Sequence, residues 1–251
     1  MTNVSAVSLQ GVTKTYRQSH LGMTRVSRGI ETVSLEIKQG EVFGLLGLNG
    51  SGKTTTIKLL LGVLFPTVGQ VNLFGRPARE PEARRNIGYL PEAPYFARHL
   101  TAREVVRFHG RLAGLSGSVL TDRVETSLKT VRLTAHADRR LKAYSKGMLQ
   151  RVGLAQAMVG NPPLLLLDEP LTGLDPIGLR EMRAFVSAVN AQGKTVLLSS
   201  HSLSEAAQLC HRVGILVKGR LARVAERREW EKDETSLENM FVQTVGEADV
   251  G

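Results

Sequence analysis

Apolar positions along the chain follow two rhythms. Val42–Leu46 is a short unbroken apolar run that ends in a glycine-rich segment, and Ile57, Leu60, Leu61 and Leu64 follow at helical spacing. Val71–Phe74 and Ile87–Leu90, each bounded by glycine or proline, predict further strands. From about residue 94 to 160 the pattern becomes helical. There Thr101-Ala-Arg-Glu104 reads as a capping box, with Val105, Phe108 and Leu112 as the predicted apolar face behind it. Val124, Leu128 and Val131 mark a second amphipathic helix. Four successive leucines, Leu164–Leu167, predict a central strand covered on both faces. Thr195–Ser199 is the next strand, after a helix that Gly193 ends, and Val213–Val217 and Arg220–Val224 flank Lys218-Gly219 as a hairpin. A charge-dense stretch, Glu226–Glu234, precedes a short amphipathic tail at Ser236–Val245. Interleaved strands and helices of this kind predict an α/β protein with a largely buried parallel sheet, interrupted by a helical subdomain.

Composition narrows the picture. With 251 residues, 42% of them hydrophobic, the chain can build a sizeable core, which excludes wholesale disorder. Cys210 stands alone, so a disulfide scaffold and a multi-cysteine zinc site are excluded, and the solitary thiol fits a reducing compartment. The first thirteen residues carry no charged side chain, unlike a signal peptide. The two most apolar stretches are Leu59–Gly75, broken by Pro66, Gln70 and Asn72, and Val152–Leu167, broken by Gln156, Asn161 and Pro162-Pro163. Neither offers the roughly 20 apolar residues of a membrane span. A net charge of +10 suits nucleic acid, an anionic membrane surface or phosphate ligands, and equally a set of solvated arginine-rich helices.

Candidate chemistry begins where the first apolar run ends. Gly47-Leu-Asn49-Gly50-Ser51-Gly52-Lys53-Thr54 matches G-x-x-x-x-G-K-[ST] between a predicted strand and a predicted helix. Glycines let successive backbone N–H groups turn inward onto phosphate oxygens, and the helix start adds its positive end. Lys53 can reach β- and γ-phosphates, and the Thr54 hydroxyl can ligate Mg²⁺.

The leucine strand runs into Asp168-Glu169-Pro170. Carboxylates at the C-terminal end of such a strand lie where open α/β sheets bind ligands. Asp168 can hold Mg²⁺, directly or through water, and Glu169 can orient or deprotonate an attacking water. The next strand ends at His201, a third polar group suited to a γ-phosphate.

Together these residues resemble the ATP-binding subunit of an ABC transporter, over nearly the whole chain. Tyr144-Ser145-Lys146-Gly147-Met148, followed by Leu149-Gln150-Arg151, looks like the family's signature, and Gly173-Leu174-Asp175-Pro176 looks like its D-loop. Tyr16 matches the aromatic that stacks on adenine, and His201 the switch histidine. The resemblance implies a P-loop NTPase core of the ABC ATPase type. This has a mixed sheet, an N-terminal antiparallel β subdomain and an inserted α-helical subdomain. The expected arrangement is a single domain over 1–251, with a nucleotide-binding core at about 1–93 and 161–225, a helical signature subdomain at 94–160 and a tail at 226–251.

The resemblance also implies a mechanism. Two such subunits pair head to tail around ATP. Tyr16 contacts the base; Gly47, Asn49, Gly50, Ser51, Gly52, Lys53, Thr54 and Thr55 surround the phosphates; Ser145, Gly147 and Asp175 face the nucleotide of the paired subunit. Thr54, Asp168 and Glu92 would serve the metal, Glu169 would be the general base, and Lys53 and His201 would hold the γ-phosphate. Two departures from the usual pattern stand out: the signature has Lys146 and Met148 for a glycine and a glutamine, and Glu92 replaces a glutamine. Both departures, and the tail Ser236-Leu-Glu-Asn-Met-Phe241, resemble a bacterial exporter branch with separate six-helix permeases. The implied partners are an integral-membrane permease and a second copy or paired ATPase subunit, with no specific nucleic acid. The implied place is peripheral, on the cytoplasmic face of the cell membrane. The basic residues Arg98, Arg103, Arg107, Arg111, Arg139, Arg140 and Lys142 suit a membrane-side surface. Two competing readings are a soluble ABC-type ATPase acting on nucleic acid or ribosomes, and a module that binds ATP without hydrolysing it. The segment Arg17–Ile30 is long for the connection it makes and is expected to form a β-hairpin extension.

Overall fold

A computed structural model describes residues 4–20, 23–231 and 234–250. The expected hairpin extension and the charged stretch before the tail each include two positions outside the described residues. In chain order the first elements are β1 (Val7–His20), β2 (Met23–Ile37), β3 (Val42–Leu46), α1 (Lys53–Leu60), β4 (Val68–Leu73), β5 (Arg76–Pro77) and α2 (Pro81–Arg84). Next come β6 (Ile87–Leu90), α3 (Ala102–Leu112), α4 (Gly117–Thr130), α5 (Lys146–Met158), β7 (Leu164–Leu167) and α6 (Pro176–Ala191). The chain closes with β8 (Thr195–Ser200), α7 (Leu203–Leu209), β9 (Arg212–Val217), β10 (Arg220–Glu226) and α8 (Glu234–Val250). No helix among the described residues is long and apolar enough to cross a membrane.

Two compact units result. The first comprises residues 1–84 and 195–251. Its antiparallel sheet pairs β1 with β2 on one side and β4 on the other, and β4 with β5. Beyond Thr13, where β4 leaves β1, the hairpin continues as a two-stranded ribbon from Lys14↔Ile30 to His20↔Met23. The other sheet is mixed: β3 runs parallel to both β8 and β9, and β10 returns antiparallel to β9. All five residues of β3 and all six of β8 are buried; β3 reads as a continuous apolar run, and β8 buries Thr195, Ser199 and Ser200 with its apolar centre. Trp230 anchors the segment after β10, donating its indole N–H to the Ala207 carbonyl at 3.2 Å.

The second unit comprises residues 85–194. Here β6 and β7 pair in parallel from Ile87↔Leu164 to Leu90↔Leu167. The stretch expected to form a helical subdomain, 94–160, lies inside this unit, which also takes in β6, β7 and α6. The capping box of α3 is present: Thr101 Oγ1 accepts from the Glu104 N–H, and the Glu104 carboxylate accepts from the Thr101 N–H. The buried face of α3 differs from the predicted one. Ala102, Val105, Val106 and Gly110 face inward, whereas Phe108 and Leu112 are 56% and 68% exposed. The reason is Gly110. A Cβ there would lie 2.5 Å from Leu120 Cδ1, so α3 meets α4 through its smallest residue, and this leaves Phe108 outside. Buried Lys194 fastens the end of the unit, its ammonium donating to Asn161 Oδ1 at 2.8 Å and the Pro162 carbonyl at 2.9 Å.

Candidate functional site

In the first unit the phosphate loop leaves the buried strand β3 and enters α1. Gly47 has no room for a side chain, since a Cβ would stand 2.6 Å from the Leu216 carbonyl. The loop turns through a Ser51 N–H to Leu48 carbonyl bond of 3.1 Å, and Gly50 and Gly52 take left-handed conformations at φ 80° and 109°. Gly52 is the N-cap of α1, with no side-chain cap and no acidic residue in the first turn. The first-turn N–H groups therefore face no built-in anion. Lys53 is buried and curls over the loop, donating to the Gly47 carbonyl at 2.7 Å and the Leu48 carbonyl at 3.3 Å. The Ser51 hydroxyl is buried and lacks a hydrogen-bond partner among the described residues. An uncapped helix start, a buried ammonium and an orphaned hydroxyl together fit a polyanion such as a triphosphate.

The neighbours of the loop complete this half. Asn49 and Thr54 are exposed, and Thr55 is half-buried. The Tyr16 phenol lies 3.1 Å from the Thr55 hydroxyl, its ring packed where a Cβ on Gly29 would come within 2.6 Å of Cε2. Lys14 stands 5.7 Å from the centre of that ring. In the β3–β8 register Leu46 opposes Ser200, so Gly47 and the exposed His201 leave the same edge of the sheet.

In the second unit the acidic pair follows β7. The Asp168 N–H donates to the Leu90 carbonyl at 2.9 Å, extending the strand pairing by one bond, and both Asp168 and Glu169 are buried. Glu169 holds φ at 48°, a conformation rare for a residue with a side chain, as the chain turns sharply towards Thr172. That turn returns the Thr172 hydroxyl to Glu169 Oε2 at 3.2 Å. The exposed Glu92 lies two residues beyond β6. Tyr89 joins these groups: burial pushes its phenol up to about 12, and the charges of Asp168 and Glu92 push the same way. It therefore stays a protonated donor beside two carboxylates. Sequence reasoning missed Tyr89; its signal is the strand pairing, which sets Tyr89 opposite Leu166.

The signature lies in the same unit. Ser145 is the N-cap of α5 and accepts from the Met148 N–H at 3.2 Å, with no acidic residue in the first turn. Open space surrounds Gly147. Asp175 is likewise the N-cap of α6, accepting from the Gly178 N–H at 2.6 Å. Lys146 reaches across to Gly173, where a Cβ would lie 2.5 Å from its Nζ. The phosphate loop, Tyr16 and His201 are thus gathered in the first unit; Glu92, Ser145, Gly147, Asp168, Glu169 and Asp175 belong to the second.

Among the described residues no group of three or more His, Cys, Asp or Glu side chains could hold a metal ion. The Thr54 hydroxyl in the first unit and the Asp168 carboxylate in the second are each hard oxygen donors, the kind that suits Mg²⁺.

Comparison with known proteins follows the same lines. A family model described as ABC transporter matches residues 30–172. The chain is 41% identical to the bacitracin transport ATP-binding protein BcrA of Bacillus licheniformis over 197 residues, 77% of this chain and 63% of that protein. It is 35% identical to a Nod factor export ATP-binding protein I of Cupriavidus metallidurans over 220 residues, covering 87% of this chain and 72% of the relative. The chain spans only 60% to 65% of the length of the first relatives it matches. Among solved structures it superposes, with a TM-score of 0.79 and 29% identity, on a dimeric ATP-binding cassette in a post-hydrolysis state bound to ADP and Pi. That superposition covers 88% of this chain and 99% of the other.

Proposed function

The chain belongs to the ABC transporter family, and from that premise we propose that it is the ATP-binding and ATP-hydrolysing subunit of a transporter whose permease is a separate polypeptide. The whole described chain acts as one ATPase domain, with the helical stretch 94–160 facing the permease. The observation that carries the reading is the phosphate loop, where Gly52 leaves the start of α1 uncapped and Lys53 lies folded over the loop carbonyls. On binding, the Lys53 ammonium exchanges those carbonyls for β- and γ-phosphate oxygens, and the loop N–H groups close on the rest.

The other roles follow from chemistry. Tyr16 stacks on the base. Thr54 and Asp168 hold Mg²⁺, with Glu92 beside them, and the ion when bound neutralises charge on the β- and γ-phosphates. Glu169, kept in place by the Thr172 hydroxyl, takes the proton of the attacking water, and His201 holds the γ-phosphate. Two copies pair head to tail, so that Ser145, Gly147 and Asp175 of one face the nucleotide of the other; the dimeric cassette on which the chain superposes supports this. Loss of the bridging γ-phosphate then lets the pair reopen.

Transport is supported by the relatives' names, and the direction we propose, export, by the Nod factor export protein. The protein acts at the cytoplasmic face of the membrane, held there by its permease. Of the basic side chains expected to meet that surface, Arg103 is committed elsewhere, paired with Asp138 at 2.7 Å and with Glu125.

The decisive experiment is Glu169→Gln. Turnover falls at least a hundredfold, while ATP still binds and drives pairing detectable by sedimentation. Turnover at the wild-type rate would remove Glu169 from the role of base.

A further inference from the structure

Inside the second unit lies a cavity of about 590 Å³ walled by the end of α4, the first half of α5 and the length of α6. Its volume is that of a small-molecule site. The floor is apolar and closed: Val131, Leu154, Met182 and Phe185 line it, each no more than 8% exposed. Gln150, 6% exposed, lines the same cavity. Its side-chain NH₂ donates to the Pro170 carbonyl, which fixes Gln150 in the wall.

The charged groups of the lining are unbalanced. Arg132, Lys146 and Arg151 face only Glu181 and Asp175. Glu181 is shared, paired with Arg151 and 3.6 Å from Arg132, and Asp175 already caps α6. One positive charge is left over, and Arg132, 73% exposed, meets the shared Glu181 only at 3.6 Å.

We propose that this cavity is a binding site for a small anionic amphiphile. The ligand has an apolar, ring-sized body for the floor and an acidic group for the Arg132 side. Two stretches of the cavity wall, Ser145–Met148 and Gly173–Asp175, are those that the proposed pairing would bury. On that reading, ligand and ATP-driven pairing oppose one another, and by linkage each weakens the other.

Anilinonaphthalene sulfonate carries both features and becomes fluorescent in apolar sites. Titrated into the nucleotide-free protein, it binds at one saturable site. Ala184→Trp, an exposed lining position on α6, fills the cavity and weakens that binding at least tenfold with an unchanged far-ultraviolet circular dichroism spectrum. Arg132→Gln weakens it several-fold, whereas the uncharged N-phenylnaphthylamine does not respond to Arg132→Gln. Many weak sites, or wild-type affinity in both variants, would overturn the proposal. In the Glu169→Gln protein, ATP lowers the probe's affinity at least fivefold. Unchanged affinity in protein that sedimentation shows to be paired overturns the opposition, whereas ATP that produces no pairing refutes the pairing reading and leaves the cavity assignment standing on the titration.

Discussion

The phenol of Tyr16 and the hydroxyl of Thr55 lie 3.1 Å apart, joining the ribbon of β1 and β2 to the first turn of α1. The contact depends on a third residue. Gly29, the unpaired residue of β2 at the register shift between Arg28 and Ile30, has no Cβ, and one placed there would stand 2.6 Å from the Tyr16 ring and 3.0 Å from the Thr55 methyl. The long hairpin thus has a local consequence. It brings a glycine back beneath an aromatic ring, so that the ring rests beside the phosphate loop instead of swinging over solvent.

If Tyr16 meets the base, its removal acts on binding and not on chemistry. Tyr16→Ala is expected to raise KM for ATP about tenfold, in line with the roughly 1–3 kcal/mol that stacking a base on an aromatic contributes, and to leave kcat within twofold. Inhibition by inorganic tripolyphosphate, which has no base, is expected to be unchanged. Steady-state kinetics with both ligands make the check, and equal weakening of both would assign Tyr16 to the loop's fold.

Gly52 tests the loop itself. Its φ of 109° lies where side-chain-bearing residues are strained, and a Cβ would sit 2.8 Å from the Gly29 carbonyl. Gly52→Ala is expected to cost about 1–3 kcal/mol of stability and to abolish ATP binding, because the loop N–H groups can no longer converge. Urea unfolding followed by Trp230 fluorescence measures the first effect, since Trp230 is the chain's single tryptophan and is buried in the same unit. Nucleotide titration measures the second.

How far the sequence revealed this structure depends on how local each signal is. The strand, glycine turn and helix around Gly47–Thr54, the capping box at Thr101 and the strand Leu164–Leu167 are written in consecutive residues, and the structure forms all three. The face of α3 was misjudged because Gly110 is read as a weak helix former until Leu120, ten residues on, is seen to need its space. Tyr89 was passed over for a similar reason: its relation to Asp168 arises only when β6 and β7 pair. Ser145 and Asp175, which the resemblance makes nucleotide contacts, close the starts of α5 and α6 in the structure, a role that their place before Lys146 and Pro176 makes legible.

The second unit should weaken in acid at an identifiable place. The Arg103 guanidinium holds the Asp138 carboxyl below its usual range, and the Thr101 N–H does the same for Glu104. Because both folded values are depressed, their contribution is complete above about pH 4–4.5, where the unfolded carboxyls are ionised. It is lost as pH falls through the lower folded values. Thr101→Ala, which removes the hydroxyl half of the capping box, is expected to cost about 1 kcal/mol. Asp138→Asn is expected to flatten the acid limb of stability between pH 5 and 3 in roughly the proportion that Asp138 supplies. Urea denaturation at stepped pH, read by far-ultraviolet circular dichroism, makes both comparisons.

Cys210 offers the opposite sign at the alkaline end. Its thiol is fully buried against the sheet of the first unit, with a Cβ on Gly44 standing only 2.8 Å from its Sγ, and burial pushes it up to about 12. A thiol raised in the folded state is protonated there while the unfolded chain ionises at about 8.5. The stability it confers is therefore whole below that pH and declines as pH rises towards 12. The same burial predicts kinetics: at pH 8 a disulfide reagent should modify the native protein at least a hundred times more slowly than the urea-unfolded chain, where the single thiol reacts at once. Since only opening of the first unit exposes Sγ, the native rate should follow the unfolding equilibrium measured by Trp230 as urea is added. Fast native labelling with Trp230 still buried would place Cys210 outside the core and remove the basis for its raised pKa.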